Sequence, residues 1–123
     1  MKILVIDDDD QMRKLLRQVM EWANYEVIEA SNGREGVQQC RRQPPDLVIT
    51  DLIMPEQEGL ETIALFKKDY PQLKIIAISG GGRIGPEAYL PAAQELGADK
   101  VFSKPFDVRE LAEAVKELLS HEK

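Results

Sequence analysis

The sequence predicts a doubly wound α/β fold: five parallel strands, each followed by a helix, in the strand order 2-1-3-4-5. Three observations predict it. Short apolar runs alternate five times with longer amphipathic segments. Three of the runs are nearly continuous Ile, Leu and Val, as in central parallel strands covered on both faces. The segments between them carry helix start and stop residues. Strands alternating with helices imply a parallel sheet with right-handed crossovers and helices on both sides. For five such strands, 2-1-3-4-5 is a common order.

The expected strands are residues 2–6, 25–29, 46–50, 73–78 and 100–102. The first helix is expected over 10–23, with Met12, Leu15, Leu16, Val19 and Ala23 on one stripe. The second begins at Asn32, where Asn32 and Glu35 make a capping box, and stops before Pro44-Pro45. The third covers 60–68 and ends before Pro71. The fourth starts at Gly85-Pro86, proline suiting a first helical turn, and ends at a left-handed Gly97. The fifth is capped by Asp107, with Glu110 three residues on, and its stripe is Val108, Leu111, Val115 and Leu118. Trp22 and Tyr25 are expected in the core, and Arg13, Lys14 and Arg17 on a solvated face.

A chain of 123 residues is one domain, read here as 1–123, large enough to bury a core unaided. Its net charge of −6 speaks against direct nucleic-acid binding and against an anionic membrane surface. Cys40 is the only cysteine, which excludes an internal disulfide and fits a reducing, cytoplasmic setting. It reads as a small packing residue on a helix. The opening apolar stretch is too short for a signal peptide, and no segment has the ~20 apolar residues of a membrane span. The chain stops soon after its last helical pattern, so a stand-alone domain is expected.

In doubly wound sheets, ligands sit at the carboxyl ends of the strands beside the switch point, here strands 1 and 3. Asp7, Asp8, Asp9 and Asp10 follow strand 1, and Asp51 follows strand 3. Asp10, and less firmly Asp9, read as helix-start acids. Asp7 and Asp8 read as site residues. Carboxylates aimed at one another repel, and a divalent cation resolves this; a hard, oxygen-rich site suits Mg²⁺ (or Mn²⁺). Ser79 with Gly80-Gly81-Gly82 follows strand 4, and Lys104-Pro105 follows strand 5. Acids, a hydroxyl and an amine converging on one edge suit a phosphoryl group. Metal and lysine balance its charge, and the hydroxyl bonds one oxygen. Asp51 is the natural nucleophile, giving an acyl phosphate.

Ile3-Leu4-Val5-Ile6-Asp7-Asp8-Asp9, Asp51-Leu52-Ile53-Met54-Pro55 with Gly59, Ser79-Gly80, and Gly97-Ala98-Asp99 leading to Lys104-Pro105-Phe106 together resemble the receiver domain of bacterial two-component response regulators, a CheY-like, flavodoxin-like fold. The resemblance covers essentially the whole chain in order and spacing. It implies that Asp51 accepts phosphate from a phosphohistidine on a sensor histidine kinase or histidine phosphotransfer protein. It implies that Asp8 ligates Mg²⁺ directly, Asp7 directly or through water, and the backbone carbonyl of Ile53 supplies a further ligand. Ser79 would bond a phosphoryl oxygen and Lys104 would pair with the phosphoryl group. A cis Lys104–Pro105 peptide is implied too. So are an unidentified downstream protein partner and, through helix 4, strand 5 and helix 5, an accessible homodimer.

The chain departs from the family pattern in three places. Val101 stands where a switch aromatic is usual, and Phe102 should face the opposite side of the sheet and pack in the core. The segment from Ser79 to Pro86 is glycine-rich and longer than usual, so switching is expected in the Gly80–Gly85 loop as well as at Ser79. Ile53 and Gly81 carry no polar group where the family tunes phosphate lifetime. Two other readings compete. An aspartyl-phosphate phosphohydrolase would need an acid two residues after Asp51, where Ile53 stands, and a substrate cap. A degenerate receiver acting only as an interaction module would lack part of the acid, hydroxyl and lysine set. The leading reading is a switch, not an enzyme turning over a separate substrate.

Overall fold

The computed structural model describes residues 1–52, 59–79, 91 and 93–120. The elements are β1 (Lys2–Ile6), α1 (Asp10–Trp22), β2 (Glu26–Ala30), α2 (Gly33–Arg42), β3 (Leu47–Asp51), α3 (Gly59–Asp69), β4 (Lys74–Ser79), a helical stretch α4 at 93–96, β5 (Lys100–Ser103) and α5 (Val108–Ser120). The expected start of the fourth helix at Gly85-Pro86 lies outside the described residues.

The five strands are all parallel and run β2-β1-β3-β4-β5, as expected. Ile3 of β1 faces Val27 on one side and Leu47 on the other, so β1 sits inside the sheet next to the switch point. Alternation along each strand divides the apolar side chains between two cores. Leu4, Ile6, Val48, Ile75 and Ala77 point to one face, where Cys40, Ile63 and Phe66 cover them. Ile3, Val5, Ile49, Ile76 and Ile78 point to the other, under Leu16 and Met20 of α1 and Leu111 and Val115 of α5. Cys40 is a buried packing residue, as expected.

Three turns explain the local folding. Asn32 caps α2 by accepting the amide of Glu35 at 2.9 Å, while Glu35 reaches back to the amide of Ser31 at 3.0 Å instead of that of Asn32. Asp107 caps α5 by accepting the amide of Arg109 at 2.8 Å. Gly97 has a φ of 119°, the left-handed backbone expected of it. Close packing sets a further glycine. A Cβ on Gly36 of α2 would lie 2.3 Å from Cδ1 of Ile6, so any larger residue there would have to push the buried Ile6 side chain aside.

The first helix corrects the sequence reading. Its buried residues are Leu16, Val19 and Met20, whereas Leu15 is 39% and Trp22 79% exposed, and Ala23 lies beyond the helix in the open. At about 100° per residue, Trp22 falls some 200° around the helix from Met20 and cannot share its stripe. Tyr25 does pack against the core beneath α1. In α5 the expected Leu111 and Val115 are buried with Ala114 and Leu119, while Val108 and Leu118 are half-buried at the edge of the same cluster.

Candidate functional site: an acidic cleft at the carboxyl edge of the sheet

The strands end at one edge and deliver the expected residues there. Strand pairing runs one residue further than the apolar runs suggest. Asp51 is the last residue of β3, paired with Ile78, and Ser79 is the last of β4, paired with Ser103. Both are therefore held by the sheet itself. Asp7 follows β1, its amide donating to the carbonyl of Ala30 at 3.1 Å. Lys104 follows β5, its amide donating to the carbonyl of Ser79 at 2.9 Å. The Lys104–Pro105 peptide is cis, as the resemblance implied.

Asp7, Asp51 and Ser79 are buried, and Asp8 is exposed at the rim. One carboxylate oxygen from each of Asp7, Asp8 and Asp51 lies within 4.8 Å of the others. The ammonium of Lys104 stands 3.3 Å from Oδ2 of Asp51 and 3.5 Å from Oδ2 of Asp7. These are four of the expected site residues. The fifth, Ser79, reaches the same edge, but its buried hydroxyl has no hydrogen-bond partner among the described residues. Ile53, whose carbonyl was expected as a ligand, lies outside the described residues, as do Gly80 to Gly85 and His121.

Burial and neighbouring charge both act on Asp7. Burial, with Asp51 and Asp8 alongside, pushes the Asp7 carboxyl up from 3.8 to about 6, against the opposing pull of the Asp9 amide and Lys104. Burial alone would lower the Lys104 ammonium, but Asp51 and Asp7 outweigh it and hold its pKa above the ordinary value.

The remaining acids start the helix. Asp9 is the N-cap of α1, accepting the amides of Gln11 at 2.9 Å and Met12 at 3.3 Å. Asp10, the first helical residue, pairs with Arg13. Val101 and Phe102 pack on opposite faces of β5, as strand alternation required. Val101 joins the core under α2 and α3, and Phe102 joins the core under α1 and α5, 6.2 Å from the ring of Phe106.

Sequence reasoning missed Arg13. It was placed on a solvated face with Lys14 and Arg17, and Lys14 is exposed there. The Arg13 side chain, however, is only 15% exposed and engages three elements. It donates to the carbonyl of Asp7 at 2.7 Å, to Glu29 of β2 at 3.0 Å, and to Asp10. Arg17 also reaches Glu29 and pairs with Glu21. The one available signal was the i,i+3 spacing of Asp10 and Arg13.

Three acid oxygens in one small cluster are a hard donor set of the kind Mg²⁺ takes, and a cation would offset both the burial and the like charges that raise Asp7. The residues present therefore fit such an ion. Among the described residues no helix is long and apolar enough to cross a membrane.

A fold of this order with acids, hydroxyl and lysine on its carboxyl edge defines a signalling receiver. The family model of the response regulator receiver domain matches residues 3–116. The chain is 36% identical to the chemotaxis protein CheY of Thermotoga maritima over 115 residues, 93% of each chain. It is 32% identical to sporulation initiation phosphotransferase F of Bacillus subtilis over 118 residues, 96% of this chain and 93% of that one. A response regulator receiver domain protein from Clostridium thermocellum superposes with a TM-score of 0.90 at 28% identity, covering 98% of this chain and 95% of that one. The chain belongs to the response regulator receiver domain family of two-component signalling. Receiver domains are signalling modules that bind Mg²⁺ at an acidic pocket and interact with histidine kinases or phosphotransfer proteins and with downstream effectors.

Proposed function

We propose that residues 1–123 act as one receiver domain that takes a phosphoryl group on Asp51 from a phosphohistidine donor and then presents a changed surface to a partner protein. One observation carries this reading: beside the Lys104–Asp51 pair, the buried Ser79 hydroxyl has no partner among the described residues, so the edge holds a spare donor where a phosphoryl oxygen would need one. In the reaction an Asp51 carboxylate oxygen bonds to phosphorus as the phosphorus–nitrogen bond to the imidazole breaks, and the imidazole leaves with the bond pair. Lys104 transfers its pairing from Asp51 to the phosphoryl oxygens, and Ser79 donates to one of them. Asp7, Asp8 and Asp51, with the carbonyl of Ile53, would hold Mg²⁺ or Mn²⁺, which supplies positive charge against the phosphoryl group. Ser79 and Val101 serve as the switch pair. With valine in place of a large ring, the signal falls mainly on the backbone after Ser79.

The test is intact mass spectrometry after incubation with acetyl phosphate and Mg²⁺. The chain gains one phosphate, and Asp51→Asn does not. Equal labelling of that variant would place the chemistry on another residue.

A further inference from the structure

We propose that Arg13 is a positioning residue for the cation site: it fixes the Asp7–Asp8 peptide and thereby sets the exposed Asp8 carboxylate beside those of Asp7 and Asp51. The inference rests on the metal-binding reading of these three acids. Asp8 is the only one of them at the exposed rim. Its aim therefore depends on the backbone that carries it. That backbone is the peptide whose carbonyl belongs to Asp7, and Arg13 grips this oxygen at 2.7 Å. Because the peptide is planar, holding its oxygen constrains both the ψ of Asp7 and the φ of Asp8. The other polar groups of Asp7 are tied too. Its amide donates to Ala30, and its carboxylate accepts the amide of Asp9 at 2.9 Å.

Arg13 can hold the peptide because it is itself held. The guanidinium is planar, with donors in a fixed fork. One nitrogen takes Glu29 on the neighbouring strand and another takes Asp10 in the first turn of α1, which leaves the third for Asp7. The cation thus joins β2, α1 and the turn after β1. The carboxylates it pairs with lie outside the cluster of Asp7, Asp8 and Asp51.

Positioning and plain electrostatics predict opposite signs. A fixed positive charge near a cation site repels the ion, so removing Arg13 for its charge alone would tighten binding. Removing a group that orients a ligand weakens it, commonly by 10-fold or more. The experiment titrates Mn²⁺ into the full chain and reads the free ion by electron paramagnetic resonance, with melting followed by circular dichroism. Arg13→Met is expected to weaken Mn²⁺ binding about 10-fold. Arg13→Lys, which keeps the charge but lacks the fork, is expected to weaken it as well, and it serves if the methionine variant does not fold. Leu119→Ala, a core truncation at the end of α5 that touches neither Arg13 nor its partners, is expected to lower the melting temperature while leaving the Mn²⁺ affinity within about two-fold. Asp8→Ala should lose the site. Binding that is unchanged or tighter in both Arg13 variants, with Asp8→Ala inactive, overturns the role of Arg13 and leaves the metal site standing. A loss in Leu119→Ala as large as that in Arg13→Met also overturns it, because general loosening would then suffice. Full binding by Asp8→Ala overturns the metal site and the inference together.

Discussion

The amide of Lys104 donates to the carbonyl of Ser79 at 2.9 Å, which locks the two residues together through the backbone while their side chains are treated in opposite ways. The Lys104 ammonium is paired twice, with Asp51 and Asp7. The Ser79 hydroxyl is buried with no partner among the described residues. A movement of either residue is felt at once by the other.

Ser79→Ala removes a buried donor that has no partner among the described residues. The unmodified chain should gain about 1 kcal/mol of stability, since an unsatisfied buried group costs about 1–3 kcal/mol. Urea denaturation reads this. Phosphorylation by acetyl phosphate should slow in the same variant. A destabilised variant with unchanged labelling would show that the hydroxyl is a structural group.

Asp7 makes the metal-free chain sensitive to pH. Its folded pKa of about 6 lies above the ordinary 3.8, so the fold favours the protonated acid. The stability this contributes is fully present below about 3.8 and is lost as pH rises through about 6. Asp7→Asn, which mimics the protonated form, should therefore be more stable than the parent in chelator at neutral pH. The advantage should reach up to about 3 kcal/mol, at about 1.36 kcal/mol per pH unit, and vanish toward pH 4. Denaturant midpoints at several pH values test it. A constant difference across the range would mean that Asp7 is not the group titrating.

Magnesium should raise the melting temperature by preferential binding to the folded chain. At ten times the dissociation constant the gain is about 1.4 kcal/mol, or roughly 5 °C for a domain of this size. Asp8→Ala should abolish the dependence. A shift of the same size in that variant would put the ion elsewhere.

Gly36→Ala tests the close approach of α2 to β1. The new methyl would meet Ile6 Cδ1 at 2.3 Å within a packed core. Overpacking costs about 1–3 kcal/mol, against which alanine regains up to about 1 kcal/mol of helix propensity. The net loss should be about 1 kcal/mol, and Ile6→Val in the same chain should recover much of it. A stabilised single variant would show that Ile6 moves aside freely.

The sheet order and both cores were legible because alternation and apolar runs are local patterns that a parallel sheet must satisfy. Val101 and Phe102 were assigned to opposite faces on that ground. The strand ends were not legible to the residue. Asp51 and Ser79 are polar and ended the apolar runs, yet their backbones continue the pairing. The four consecutive aspartates were sorted by their position at the sheet edge, not by residue type. Geometry adds that Asp9 is the cap, that Asp10 is a partner of Arg13, and that Asp7 and Asp8 gather with Asp51. Arg13 was hidden for another reason: its decisive partners include a carbonyl six residues back and a carboxylate on another strand, and no periodicity records either.

The exposure of Trp22 sets what light can report about this chain. It is the only tryptophan, and its indole is bathed in water while the chain is folded. Thirteen helical residues, roughly 20 Å at 1.5 Å each, separate its end of α1 from the end bearing the acids. Intrinsic fluorescence should therefore change little when the chain unfolds or when an ion arrives. Moving the chromophore would give the molecule an optical voice: Trp22→Phe clears the silent background, and Phe106→Trp places an indole two residues from Lys104.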